Sequence, residues 1–169
     1  MTSISITKEK ELGTMEILLV SPLNPFQVIV GKVVPYILLS IINAVVIILL
    51  SIFVFKMPVQ GSLFLLGAES TLFIINALSL GILISTVAAT QQAAMMTSLM
   101  GLMLPVILLS GFIFPISSMP LPLQMISNII PAKWFIIIIK GIMLKGVGLA
   151  YVWKETLILI GMTIFFIGL

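Results

Sequence analysis

Residues 33–55 read VVPYILLSIINAVVIILLSIFVF, a run of 23 residues without a charged side chain. As an α-helix, a run of this length measures about 35 Å, whereas the hydrocarbon core of a bilayer is about 30 Å thick. The run is therefore long enough to cross a membrane with some tilt. It predicts the first membrane span, over residues 28–55.

The composition of the whole chain favours the same environment. Hydrophobic residues make up 61% of the 169 positions and charged residues only 8%, which leaves too little polar surface to cover a soluble globule. The fold class predicted is an all-α, polytopic transmembrane bundle. The chain has no His and no Cys, so we expect no catalytic residue, metal or cofactor. Its lysines are scattered, which argues against nucleic-acid binding.

Three further spans are predicted along the chain. Residues 62–89 form a second run, interrupted by Glu69, and residues 93–114 form a third, in which Pro105 predicts a kink. The polar link between them is only three residues long, so these two spans should be antiparallel neighbours. The fourth lies at residues 151–169, and its uninterrupted apolar part, about 21 Å long, is short for a crossing. We therefore expect a fragment whose last span is cut short; the alternative is that residues 149–155 lengthen this helix toward a full crossing.

Residues 117–148 break the pattern of long apolar runs. Two prolines open this stretch, and its segments 123–130 and 131–144 are each too short to span the membrane alone. A helical hairpin is predicted here. Lys133, Trp134, Lys140 and Lys145 surround an Ile-rich stripe in its second arm, which suits an interfacial helix with snorkelling lysines. The alternative is a re-entrant pair buried in protein.

Residues 1–24 form a polar segment before the first span. Thr7 can cap one short helix that ends at Gly13, and Thr14 can cap a second that ends before Pro22. Glu9, Glu11 and Glu16 fall in first turns, where the helix dipole favours anions. The sequence thus predicts a charged helix-turn-helix that lies at the membrane surface.

Several motifs in order along the whole chain resemble ATP-binding-cassette permeases of the type-2 class, the drug and polysaccharide exporters. The residues that carry the likeness are Glu9-Lys10-Glu11, Gly13-Thr14-Met15-Glu16, Leu18-Leu19-Val20-Ser21-Pro22, Gly31-Lys32, Thr90-Gln91-Gln92, Leu109-Ser110-Gly111-Phe112-Ile113-Phe114-Pro115 and Ile130-Pro131-Ala132. The resemblance implies that this chain corresponds to the C-terminal half of such a permease, in a bacterial inner membrane.

The resemblance also implies partners and a topology. The polar segment would be the cytoplasmic coupling helix that docks on a separate ABC ATPase subunit, and the hairpin would be extracytoplasmic. A second permease copy or paralogue would complete the transporter. The coupling residues implied are Glu9, Lys10, Glu11, Gly13, Thr14, Glu16 and Pro22. This orientation puts more lysines outside than inside, against the positive-inside tendency.

The same reading implies export of a hydrophobic or amphipathic substrate by alternating access. The sequence has no G-x-x-x-x-G-K-[ST] phosphate loop, so ATP hydrolysis is expected on the other subunit. An alternative from another class is a transporter driven by an ion gradient, or a structural membrane subunit. Ion coupling usually needs carboxylates inside the membrane, and Glu69 is the one candidate.

A few residues within the spans have both a functional and a structural interpretation. Glu69 could act in the pathway or in gating, or could pair with Lys56 or a hairpin lysine near the interface. Asn43 and Asn76 could line a pathway or make interhelical hydrogen bonds. Gly101 and Pro105 could form a hinge or a static kink. A small-residue face for helix packing recurs every four residues, at Ala77, Gly81, Ser85 and Ala89.

Overall fold

The structure is a computed structural model that describes Ile4, Thr7, Lys8, Glu11 and residues 25–168. Over these residues it is helical and contains no strand. The long helices are α1 (Pro25–Phe53), α2 (Leu63–Val87), α3 (Gln91–Leu109) and α6 (Leu149–Gly168), and the shorter ones are α4 (Leu121–Ser127) and α5 (Pro131–Lys145). Most of the predicted polar segment 1–24 lies outside the described residues.

The four long helices are each apolar and long enough to cross a membrane, which confirms the predicted all-α polytopic bundle. Two of these helices begin directly after a capping residue. Ser62 accepts a hydrogen bond from the Leu65 N–H at 3.4 Å, and Thr90 accepts one from the Ala93 N–H at 3.2 Å. The helix α6 begins at Leu149, and its 20 residues measure about 30 Å, the thickness of the hydrocarbon.

Helix α2 is the centre of the bundle, since it contacts α1, α3, α5 and α6. Ile48 of α1 lies near the start of α2, and Val30 of α1 lies near Ile82 at the other end, so α1 runs antiparallel to α2. We call the end of the bundle with residues 54–62 and 110–148 the hairpin end, and the end with residues 88–91 the Gln91 end.

The hairpin enters the bundle. Helices α4 and α5 meet at 82°, and α5 packs against both α2 and α6. Phe135 near the start of α5 stacks on Phe73 of α2, with ring centroids 4.1 Å apart. Phe73 is ten residues into α2, or about 15 Å from the start of that helix. Because Phe135 stacks on Phe73, the start of α5 lies about halfway along α2, and the rest of α5 returns to the hairpin end. This packing agrees with the re-entrant alternative, and the position of the hairpin relative to the membrane surface stays a prediction.

The position of Lys133 agrees with this arrangement. Its side chain is 9% exposed, and its ammonium donates hydrogen bonds to Ser127 and Asn128 in the turn between the arms. Trp134 donates from Nε1 to the Asn128 carbonyl at 2.9 Å. Lys133 therefore does not snorkel to the interface as expected, because the turn itself supplies its hydrogen-bond acceptors.

The loop between α1 and α2 closes over the far end of α5. The Gln60 N–H donates to the Met143 carbonyl at 3.1 Å, and a Cβ on Gly61 would overlap the Ile142 carbonyl oxygen. Gly146 caps α5 with a φ of +63°, a conformation that glycine adopts without steric penalty. This close approach of two backbones fixes α5 against the bundle.

We predict that Gly61→Ala destabilises the bundle by about 1–3 kcal/mol, because the added methyl group must displace the α5 backbone. The measurement is the melting temperature of the detergent-solubilised protein by fluorescence-detected size exclusion. Gly148→Ala is the matched control, since a Cβ there meets no atom within 4 Å. Equal melting temperatures for the two variants would contradict the packing role of Gly61.

Candidate pathway and coupling site

A set of polar side chains joins α2 to α6 inside the bundle. Thr156 Oγ1 donates to Glu69 Oε1 at 2.7 Å. Two helical turns further along, Asn76 Nδ2 donates to Thr163 Oγ1 at 2.9 Å and to the Leu159 carbonyl at 3.3 Å. The two polar residues on each helix are seven positions apart, or about two turns, so they lie on one face of that helix. Because both contacts advance in the same direction along the chain, α2 and α6 run parallel. We call Glu69, Asn76, Thr156 and Thr163 the polar seam.

The seam exists because α2 buries its polar face. Its buried residues include Glu69, Ser70, Asn76 and Ser79, whereas the apolar Phe64 at its start is 88% exposed. Ser70 and Ser79 donate to carbonyls one turn back along the helix. Lipid solvates apolar side chains but offers no hydrogen bonds, so the polar face of α2 must point into the protein.

Glu69 does not pair with Lys56 or a hairpin lysine, the structural interpretation that the sequence favoured. The carboxylate is 3% exposed and lies against Thr156, so the side chain points toward α6 instead. Two buried seam atoms, Glu69 Oε2 and Asn76 Oδ1, have no hydrogen-bond partner among the described residues. Such atoms are costly in an apolar interior, so each is a position where a donor could bind.

Asn43, the other asparagine predicted for a pathway, is remote from the seam. It lies on α1 with an exposed side chain and does not line the cavity between α1 and α2. Asn76 instead makes the interhelical hydrogen bond that was the second interpretation of both asparagines.

The predicted small-residue face of α2 is mixed in burial. Ser85 is buried and Gly81 half-buried, but Ala77 is exposed, and Ala89 is exposed and lies beyond the end of α2 at Val87. Close helix packing along all four positions remains a prediction, which would need a partner beyond the described residues.

Helix α3 contains a wide turn rather than a simple proline kink. Ser98–Met103 is a π-helix in which the Leu104 N–H bonds to the Leu99 carbonyl, five residues back. Gly101 lies within this turn, and Pro105 follows it. A proline has no N–H and its ring would strike the carbonyl four residues earlier, so a wider turn before it relieves the clash. Such turns recur at functional sites and at bends.

The start of α3 binds one of the predicted coupling residues. Glu11 Oε2 accepts hydrogen bonds from the Gln91 backbone N–H at 2.9 Å and from Gln91 Nε2 at 3.1 Å. The carboxylate thus occupies the positive end of the α3 dipole, where it is favoured. The other coupling residues lie outside the described residues: Glu9, Lys10, Gly13, Thr14, Glu16 and Pro22.

Sequence reasoning missed three of the side chains that define these sites. Thr156 and Thr163 are separated by the same seven residues as Glu69 and Asn76, and this matching spacing is a signal that could have paired the helices. Gln91 is named from the sequence only within the motif Thr90-Gln91-Gln92. Its role depends on a contact 80 residues away in the chain, which no local pattern encodes.

Comparison with known proteins identifies a family and several relatives. The family described as ABC-2 family transporter protein matches residues 1–169. The chain is 36% identical over 169 residues to "Probable multidrug ABC transporter permease YbhS" of Escherichia coli, covering 100% of this chain and 45% of that protein. It is 32% identical over 175 residues to "Inner membrane transport permease YhhJ" of Escherichia coli, covering 100% of this chain and 46% of that protein.

A eukaryotic relative is also similar. The chain is 31% identical over 168 residues to "ABC transporter G family member 20" of Dictyostelium discoideum, covering 98% of this chain and 23% of that protein. No solved structure matches the chain. The chain thus spans less than half the length of these relatives.

We predict that the Asn76–Thr163 hydrogen bond couples α2 and α6 by about 0.6–1.7 kcal/mol, the range measured for such bonds in membrane bundles. A double-mutant cycle of Asn76→Ala and Thr163→Val, followed by unfolding in mixed micelles, measures this energy. Asn43→Ala is the control, because Asn43 is exposed on α1 and should show no coupling to Thr163→Val. A coupling energy near zero for Asn76 and Thr163 would contradict the seam.

Proposed function

Because the chain belongs to the ABC-2 family of transporter proteins, we propose that it exports a hydrophobic or amphipathic substrate by alternating access. It is an integral, multi-pass membrane subunit of an ABC transporter. In the proposal the membrane is a bacterial inner membrane, and ATP hydrolysis takes place on a separate cytoplasmic subunit that the polar segment 1–24 contacts.

The contact of Glu11 with the first residue of α3 is the observation that carries this proposal. It ties the polar segment to a membrane-spanning helix through two hydrogen bonds at one carboxylate oxygen. Hydrogen bonds to a charged group are stronger than neutral ones, and this one is directed along the helix axis. A displacement of the polar segment by the ATPase would therefore act on α3.

The wide turn in α3 would let this displacement bend the helix. The π-helix Ser98–Met103 lies midway along α3, and the last turns at residues 104–109 contact α4 and α5. Movement at the Gln91 end can thus reach the re-entrant hairpin at the opposite end. We assign the hinge to this turn, with Gly101 inside it and Pro105 preventing its closure into a regular α-helix.

A cavity between α1 and α2 suits the proposed substrate class. Its volume is about 640 Å³, and apolar side chains line most of it, with Ser70 and Thr71 on one wall. An apolar cavity with a few hydroxyls fits an amphipathic molecule better than a strongly charged one. The relative YbhS is named as a multidrug permease, which agrees with that class.

The proposed topology has the Gln91 end in the cytoplasm and the hairpin end outside. Glu11 and Gln91 share one end of the bundle, as this topology requires. We also propose a second permease copy or paralogue against α1, whose residues 33–53 include no buried side chain. The exposed Asn43 amide in the middle of this helix would gain a polar partner there.

The second candidate is a transporter driven by an ion gradient. Glu69 favours it, because its Oε2 is buried in the seam without a donor among the described residues. In that case, substrate movement in ATP-depleted inside-out vesicles would follow an imposed proton or sodium gradient, and Glu69→Gln would abolish it. ATP-dependent movement that survives Glu69→Gln would exclude this candidate.

We predict that Glu11→Gln and Gln91→Ala each lower ATP-dependent transport of the amphipathic dye Hoechst 33342 in inside-out vesicles by about tenfold. This factor corresponds to the loss of one charge-assisted hydrogen bond. The matched control is Gln92→Ala, since Gln92 is the exposed neighbour outside this contact. Dye transport unchanged in Glu11→Gln, with normal membrane levels of protein, would refute the coupling contact.

We predict that Pro105→Ala lets the wide turn of α3 relax toward a regular α-helix and so reduces transport more than stability. Dye transport and melting temperature measured on the same preparation separate the two effects. Leu108→Ala, one turn further on, is the control for a general loss of side-chain volume in α3. If Pro105→Ala transports normally, the turn is a static bend.

A further inference from the structure

A second cavity lies between α5 and the first turns of α6, away from the polar seam and from the proposed pathway. Its volume is about 310 Å³. Two cations, an anion and a phenol line it, namely Lys140, Lys145, Glu155 and Tyr151. Gly141 of α5 forms part of the wall, and a Cβ there would lie 3.1 Å from a methyl group of Val147. The wall therefore combines groups of opposite charge around an open volume.

The carboxylate of Glu155 is the unusual member of this set. Its Oε2 atom is buried and has no hydrogen-bond partner among the described residues, although two lysines line the same cavity. A buried carboxylate oxygen without a donor is costly. The cavity therefore presents an anion that needs a donor, beside cations that can bind an anion.

The cavity lies toward the hairpin end of the bundle, beside aromatic residues of the kind found at membrane interfaces. Glu155 is six residues into α6, or about 9 Å from the helix start at the hairpin end. Tyr151 and Trp153, both exposed, stand on the same turns, and such aromatic residues are enriched at membrane interfaces. Ile137 and Leu144 of the cavity wall are also exposed, so the polar cavity is continuous with an apolar surface.

We propose that this cavity binds a phospholipid whose headgroup joins a phosphate to a primary ammonium, as in phosphatidylethanolamine. Lys140 and Lys145 bind the phosphate, and Glu155 accepts hydrogen bonds from the ammonium. A primary ammonium has N–H donors for the buried oxygen, whereas the quaternary ammonium of a choline lipid has none. The acyl chains lie along the apolar surface at Ile137 and Leu144.

The test is native mass spectrometry of the detergent-solubilised chain with an equimolar mixture of phosphatidylethanolamine, phosphatidylcholine and phosphatidylglycerol. We expect phosphatidylethanolamine to bind about tenfold more than phosphatidylcholine, the effect of one charge-assisted hydrogen bond. Glu155→Gln should remove this preference. Lys140→Ala and Lys145→Ala should weaken all three lipids, whereas Lys154→Ala, on an exposed lysine of α6 outside the cavity, should change nothing.

Two results would overturn the proposal. One is an equal uptake of the three lipids, or a preference that Glu155→Gln leaves intact while the melting temperature is unchanged. The other is displacement of the lipid by millimolar O-phosphoethanolamine, which would make the site one for a soluble phosphate ester. Neither measurement involves ATP, an ATPase or transport, so the result does not depend on the proposed export function.

Discussion

Hydrocarbon offers no hydrogen bonds, and this constraint governs the arrangement of the bundle. Polar side chains within the spans must therefore meet one another or backbone carbonyls inside the protein. The clearest case is α2, which buries a glutamate, an asparagine and several serines while it exposes large apolar residues. The polar seam with α6 follows directly, because two threonines there supply hydrogen-bonding groups at the same spacing.

The re-entrant hairpin obeys the same constraint at a different depth. A lysine deep in the bundle would be very unfavourable alone, but the turn between α4 and α5 surrounds Lys133 with a hydroxyl and an amide oxygen. The apolar residues of α5 can then pack against α2 and α6. Unpaired polar atoms are consequently few among the described residues, and those at Glu69, Asn76 and Glu155 mark the places where a ligand could add a partner.

In the proposed mechanism, α3 is the helix that transmits motion through the bundle. One end of this helix receives Glu11, its middle contains a π-helix, and its far end contacts the hairpin. A regular α-helix would transmit a push as a rigid rod, whereas a wide turn before a proline provides a place to bend. In the proposal, this arrangement would link Glu11 at the Gln91 end to the hairpin at the other end of the bundle.

Membrane location, helix class and the approximate limits of the four spans were predictable from the sequence, because each depends on local apolar runs and on nearby caps and breakers. The π-helix of α3 lies just before Pro105, and the kink predicted at this proline stays a prediction. The partner of Glu69, the depth of the hairpin and the contact at Gln91 were decided only by the tertiary structure. Each depends on residues 80 or 87 positions apart or on the angle between two helices. Hydropathy specifies which side chains avoid lipid without specifying which of them meet.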